Sequence, residues 1–484
     1  MFKSISTLKR KASVLERVTQ SLNLGNSSQT LAALKDPRTS ESPFQVNAFS
    51  APNNGRNRTV SKLPNGVTVL TETPSLPGPI TFGVLLNVGT RDETKETSGV
   101  LHSIHTTYYK SHLNTNETIN FGMVQMSGGR YEMLFDREQT IFKATCLAHD
   151  TVDLFGMVSD CVLEPRAFTT ANVGISKLPF SHRLQSAKQT HFTQTDQLLA
   201  ACFGSKGLGM PYLGTEKNVI NLNASTLQKF QAENIAPEKI VVAGLGVDNH
   251  GEFLELAYQF YGNLAYGSAK SQREASKFTE AEFRTRNSQA YRNELILAFE
   301  SSSWQDPHLL KNFLARELFG AADVANPQCQ EANRGLFGTQ VYQQNKHVHA
   351  IESFNMHFSD AGLFGFRVQA SPDQTNKAVE TLAAVIKGVS KVSKEELEGA
   401  KRRLKRRFLE STGKDFQRVE ELLKHQATYS EVRLEQFLKE LDAISAQDLG
   451  AWLLRVTQGK LAVLAEGSDL TNLHSHSKIK ELFK

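Results

Sequence analysis

The residues best placed to do chemistry lie in Gly99-Val100-Leu101-His102-Ser103-Ile104-His105-Thr106. Zinc hydrolysis from a single helix is served by the order H-x-x-E-H. Its two imidazoles stand one turn apart and grip the metal, while the glutamate polarises the metal-bound water. Here His102 holds the first ligand position, His105 stands at the glutamate position and Thr106 at the second ligand position. A neutral hydroxyl is a poor zinc ligand, and an imidazole cannot copy a carboxylate base at that spot. The motif of His102, His105 and Thr106 therefore reads as vestigial, with no catalytic residue, no metal and no other cofactor expected. His112, His182 and His191 are the remaining histidines that could join His102 and His105 in an improvised site. Isolated histidines on surfaces and in cores are far commoner than such sites.

Other motifs carry less. Gly244-x-Gly246 lacks the third glycine of a dinucleotide fingerprint and reads as a strand end. Gly204-x-x-Gly207-x-Gly209 lacks the Lys-Ser/Thr of a P-loop and reads as a flexible loop, and no G-x-S-x-G elbow is present. Lys401-Arg402-Arg403-Leu404-Lys405-Arg406-Arg407 is the strongest basic run. Glu395, Glu396 and Glu398 precede it on the same predicted helix, Glu398 facing Arg402 at i+4. Without interleaved aromatic platforms this predicts a solvated or subunit-facing helix, and no nucleic-acid partner.

Composition sets the frame. A chain of 484 residues exceeds one ordinary core. Its 39% apolar and 8% aromatic content suits a folded protein, and a net charge of +5 is mild. Cys146, Cys161, Cys202 and Cys329 are scattered with no C-x-x-C pair, which fits a reducing compartment. No apolar run reaches the roughly 18 residues of a membrane span. Residues 1–24 carry Lys3, Lys9, Arg10, Lys11 and Arg17 against the single acid Glu16. Ile5, Leu8, Ala12, Leu15, Val18 and Leu22 recur at helical spacing. A basic, amphipathic, acid-poor leader has the composition of a mitochondrial targeting segment. Residues 25–58 read as a polar arm.

The elements that would position the motif follow. Asn65-Gly66 predicts a hairpin turn ahead of the strand Val67-Thr68-Val69-Leu70, and a second strand runs from Ile80 to Gly89. The His102 helix comes next, then a strand pair from Gly128 to Ala144, then a helix over 150–163 with Asp150 as N-cap. Leu222-Asn223-Ala224-Ser225-Thr226-Leu227-Gln228-Lys229-Phe230 matches Ile444-Ser445-Ala446-Gln447-Asp448-Leu449-Gly450-Ala451-Trp452, and each copy runs into a strand. The offset, 449 − 227 = 222, is nearly half the chain. The expected fold is α+β with two homologous halves, each a mostly antiparallel sheet covered by helices on one side, forming a clam-like shell. The halves are placed at 59–265 and 289–470, with a linker at 266–288 and a tail at 471–484.

Leu63-Pro64-Asn65-Gly66-Val67, Val88-Gly89-Thr90-Arg91-Asp92-Glu93, Ser98-Gly99-Val100-Leu101-His102, Val241 to Val247 and Phe358-Ser359-Asp360-Ala361-Gly362-Leu363-Phe364-Gly365 together resemble the pitrilysin-type metallopeptidases. Within them the chain is similar to the branch holding processing-peptidase alpha subunits and core 2 proteins of the cytochrome bc1 complex. The resemblance implies a third zinc ligand, a glutamate some seventy-odd residues after the histidine motif. Between Glu164 and Asp196 there is no acid, so His102 alone remains of the ligand set. It also implies a substrate-gripping glycine-rich loop after the helix ending at Gly320. Only Gly320 and Gly335 bracket that stretch, so the loop is degenerate. The function implied is a non-catalytic core subunit of respiratory complex III, scaffolding the core dimer on the matrix side of the mitochondrial inner membrane. Its expected partners are a zinc-motif-bearing beta or core 1 homologue and other bc1 subunits, with membrane contact only through them. The alternative is a processing-peptidase alpha subunit that assists a zinc-binding beta subunit in presequence cleavage.

Overall fold

The computed structural model describes residues 45–47, 57–73, 78–108, 117–163, 168–174, 177, 182, 186, 191–265, 273–324, 334–341 and 347–484. The leader over 1–24 lies outside them.

Among the described residues seven strands form the first sheet: β1 (Gln45–Asn47), β2 (Arg58–Lys62), β3 (Thr68–Glu72), β4 (Ile80–Leu86), β5 (Arg130–Phe135), β6 (Thr140–Cys146) and β7 (Ile240–Leu245). Their order is β1-β2-β3-β7-β4-β6-β5. The second sheet holds β8 (Ala281–Arg286), β9 (Asn293–Ser301), β10 (Ala321–Asp323), β11 (Val348–His357), β12 (Gly362–Ala370) and β13 (Leu461–Gly467), in the order β10-β11-β12-β9-β13-β8. Each sheet is antiparallel except for one parallel pair, β3 with β7 and β8 with β13. The run β3-β7-β4-β6-β5 thus recurs as β8-β13-β9-β12-β11, with Val84 between Val242 and Phe142 in one copy and Leu297 between Val463 and Phe366 in the other. The repeat read from the two helix-to-strand segments is a repeat of whole sheets.

Asn65-Gly66 makes the expected turn: Gly66 has φ 101°, and its N–H donates to the Leu63 carbonyl at 2.9 Å between β2 and β3. Alternation then sorts β4 by face. Ile80, Phe82, Val84 and Leu86 join one apolar cluster, with Phe155 of the Thr151–Leu163 helix and Leu254 of the His250–Tyr261 helix. Leu85 joins another cluster on the opposite face. That second face is covered by Val419, Leu422 and Leu423 of the Asp415–Tyr429 helix, which belongs to the other half. The exchange is mutual. Leu198, Leu199 and Cys202 of the His191–Phe203 helix pack on Ile296, Ala298, Leu363, Ala462 and Leu464 of the second sheet. Both faces are therefore covered, where a one-sided cover was expected. Sheets buried on both sides read as continuous apolar runs, as β4 does. Each buried leucine at such a contact contributes about 1.5–3 kcal/mol.

Other segments also differ from the reading by sequence. Asp150 closes a 3-10 turn over Ala148–Asp150 that runs straight into the Thr151–Leu163 helix, so it lies within a helical turn rather than at its boundary. Residues 281–286, in the stretch read as a linker, are strand β8. The tail carries a helix, His476–Leu482, whose Ile479 is buried in the second core together with Phe483. Residues 45–47 of the polar arm pair with β2. Among the described residues no helix is long and apolar enough to cross a membrane.

Candidate functional site

The Val100–Tyr108 helix starts at Gly99, whose φ of 94° suits glycine. Glu93, itself buried, accepts the Gly99 and Leu101 N–H groups at 2.8 Å each, satisfying donors left over at the helix start. Burial pushes the Glu93 carboxyl up to about 8. The helix then carries the motif residues inward. His102 is fully buried, its ring 5.9 Å from that of Phe135. The His105 ring lies 5.3 Å from Phe135, and its Nε2 is 3.2 Å from the Met133 carbonyl. A carbonyl only accepts, so Nε2 carries the proton there and turns no lone pair outward. The Thr106 hydroxyl is turned back on its own helix, 3.2 Å from the His102 carbonyl and 2.9 Å from that of Ser103.

Those three side chains do not fit a zinc ion. The two histidine rings stand 6.4 Å apart, each packed on Phe135, and the Thr106 hydroxyl is spent on the backbone. Among the described residues no group of three or more His, Cys, Asp or Glu is arranged to hold a metal. His182 is an exposed helical residue, while His112 and the His191 side chain lie outside the described residues.

Beside the helix, Phe135 stacks on Tyr212 at 4.7 Å and 6°, and the Tyr212 hydroxyl donates to the Phe135 carbonyl at 2.6 Å. Buried Arg137 donates to the carbonyls of Leu208 and Met210 and pairs with Asp196. The Gly204–Gly209 stretch, read as a flexible loop, is thereby a locked turn. A Cβ on Gly209 would stand 1.7 Å from the Gly204 carbonyl oxygen, so that position is closed to any larger residue. A cavity of about 570 Å³ opens between the halves, walled by Phe135 and Tyr212, by Trp304 and His357, and by Glu420 and Lys424. His357 Nδ1 is 2.8 Å from the Ser302 carbonyl, and burial pulls this imidazole down to about 4. Burial does the same to His425, packed on Tyr429 and Phe437. Unfolded, both take up protons near the ordinary 6.5. Folding stability is therefore fullest above 6.5 and is lost as pH falls towards 4, on the order of 2–3 kcal/mol per histidine. Urea unfolding at pH 7 and 4.5 checks this: the loss should be smaller in a His357→Gln, His425→Gln double variant.

What the sequence motifs do together appears only in three dimensions. Arg91 Nη1 lies 2.6 Å from Glu138 Oε1, and its two terminal nitrogens lie 2.8 and 2.7 Å from the Asp360 carboxylate in the other half. The Ser359 N–H and hydroxyl donate to Glu138 at 2.8 and 2.6 Å. Arg273, just before β8, pairs with Asp92 at 2.8 Å and donates to the Glu138 carbonyl at 2.7 Å. The segments Val88–Glu93 and Phe358–Gly365 thus form one latch across the halves. Sequence reasoning had both segments but no signal that they meet.

Gly320 and Gly335 form the neck of the stretch they bracket. Both have φ 67°, and between them the Ala321 N–H donates to the Arg334 carbonyl at 3.1 Å and the Arg334 N–H to Ala321 at 2.8 Å. Residues 325–333 lie outside the described part. The basic run is largely consumed within the chain. Lys401 donates to the Asp442 carbonyl at 3.0 Å and pairs with Glu398, Lys405 pairs with Asp442, and Arg407 with Glu317. Arg403 donates to the Glu317 carbonyl at 3.0 Å.

Comparison with known proteins agrees with this architecture. A family model described as Insulinase (Peptidase family M16) matches residues 70–216, and one described as Peptidase M16 inactive domain matches residues 221–404. The mitochondrial-processing peptidase subunit beta of Blastocladiella emersonii is 28% identical over 319 residues, 64% of this chain and 66% of that protein. The subunit alpha of Solanum tuberosum is 25% identical over 445 residues, 88% of this chain and 84% of that one. The ubiquinol-cytochrome-c reductase complex core protein I of Euglena gracilis is 23% identical over 413 residues, 80% and 82% of the two chains. A chain of the Candida albicans complex III2 structure with Inz-5 bound shares the fold with a TM-score of 0.74 at 17% identity, covering 88% of this chain and 99% of that one. With both halves of the family architecture in place and its motifs meeting at one latch, the chain belongs to the pitrilysin-type (M16) metallopeptidase family.

Proposed function

We propose that this chain is a non-catalytic core subunit, of the core 2 or processing-peptidase-alpha kind, in the mitochondrial cytochrome bc1 complex. The observation that carries the reading is Thr106: its hydroxyl is committed to its own helix where the family has a zinc-binding histidine. His105 adds a second loss, since its proton-bearing Nε2 faces a carbonyl where a carboxylate would activate water. A scaffold that has shed its chemistry is kept for its surfaces. The basic, acid-poor leader supports a matrix destination, and bc1 core proteins among the relatives support an inner-membrane assembly. The partner is then a beta or core 1 homologue with an intact H-x-x-E-H. A second reading, the alpha subunit of a soluble processing peptidase, is favoured by the relatives that bear that name, the Solanum tuberosum subunit alpha among them.

Three measurements test this: zinc content, presequence cleavage and co-migration. The purified chain should hold far less than one zinc per molecule and leave presequence peptides uncut. His105→Glu alone should not restore cleavage, because Thr106 still breaks the ligand pair. Stoichiometric zinc that disappears in a His102→Ala, His105→Ala variant would refute the inactive assignment. After mild detergent extraction of mitochondria, the chain should co-migrate with cytochromes b and c1. Recovery chiefly as a cytochrome-free matrix dimer would decide for the processing-peptidase reading.

A further inference from the structure

We propose that the outer edge of β8 is a docking strand for an extended segment of a partner polypeptide, rich in acidic and apolar residues and running antiparallel to it. The internal repeat supplies the argument. β3 and β8 are equivalent: each is the parallel neighbour of the matching strand, β7 or β13. In the first half the other edge of β3 is covered by antiparallel β2, and all five β3 residues are buried. In the second half β8 is the terminal strand of the sheet among the described residues, and five of its six residues are exposed. An uncovered row of backbone donors and acceptors is a template for another strand.

Register carries the comparison to single residues. Leu70 pairs with Ala243, and Phe283 with Leu464, at equivalent places in the two parallel ladders. Leu70 is fully buried, with Val60 of β2 directly opposite and packed on the same cluster. Phe283 is 53% exposed, and Tyr291, in the turn between β8 and β9, is 80% exposed. The missing strand would therefore set an apolar residue against Phe283, as Val60 stands against Leu70. Charge selects the rest of the segment. Arg284 is occupied by Glu282 and by the carbonyls of Leu470, Leu473 and His474. Arg286 is exposed, and the Arg292 guanidinium lies 5.2 Å over the Tyr291 ring. A segment with an acid opposite Arg286, three positions before the residue opposite Phe283, meets both demands. Charges on an edge can simply discourage strand pairing, but that role does not call for two large exposed aromatic rings beside them.

The inference rests on the reading of the chain as part of an assembly. The test uses the native assembly purified from mitochondria, with Phe283 replaced by the photoreactive analogue benzoylphenylalanine. Irradiation should cross-link this position to a segment of a different polypeptide, and mass spectrometry should place an acidic residue three positions before the attachment point. Amide exchange in β8 should be at least roughly tenfold slower in the assembly than in the isolated full-length chain. An Arg286→Glu variant should lose both effects while keeping the melting temperature of the isolated chain. Cross-links to residues 1–56 of the same chain, cross-links to a second copy, or equal exchange in both states would each overturn the proposal. Absence of cytochromes from the purified material bears on the functional reading instead, and β8 exchange is measured equally well in whatever assembly is recovered.

Discussion

Replacing Arg91 by methionine is expected to lower the unfolding free energy by about 3–5 kcal/mol, the usual result of removing one member of a buried ion pair. The Arg91 side chain is 2% exposed and answers two carboxylates, Glu138 at 2.6 Å and Asp360 at 2.7 Å. Without it both stay near the interface, and Glu138 keeps only the Ser359 donors and the more distant Arg273 guanidinium at 3.8 Å. Asp360 is partly open to water and relaxes more easily, so Asp360→Asn should cost clearly less than Arg91→Met. Chemical denaturation of the two variants gives the comparison. Equal costs, or an Arg91→Met chain as stable as wild type, would show that the latch does not hold the halves together.

Leu423→Ala should cost about 2–5 kcal/mol, the range for emptying a packed leucine site. Its distinctive consequence is remote in sequence. Leu423 lies over Gly83, where an added Cβ would stand 2.8 Å from its terminal methyl, and beside Leu85 and Ile141 of the first sheet. Amide exchange should therefore speed up in β4 and β6, some 280 to 340 positions before the substitution. An effect confined to the Asp415–Tyr429 helix would mean that the halves are stabilised separately.

Much of the architecture was legible from local pattern. Asn65-Gly66 announced its turn, the helix and strand after Leu222 matched those after Ile444, and both copies proved to fill the same place in their sheets. These signals are readable because turn chemistry and apolar period act over a few neighbouring residues. The boundaries were less legible. Residues 281–286 looked like polar connector because their strand is exposed on both faces, which removes the apolar alternation that reveals a strand. The one-sided cover failed for a related reason. The helices that close the second face of each sheet come from the opposite half, and no local pattern records which sheet an amphipathic helix will meet.

The chemistry of the site divides the same way. By itself the sequence determined that a histidine and a threonine stand where zinc chemistry needs a glutamate and a histidine, because side-chain identity alone limits which atoms can bind a metal or move a proton. Only the tertiary structure decided what those residues do instead. Thr106 closes onto its own helix, His105 onto the Met133 carbonyl, and Arg91 onto Asp360 from 269 positions away. Hydrogen bonds and ion pairs act over about 3 Å of space whatever the separation along the chain, so partners brought together by folding leave no trace in spacing.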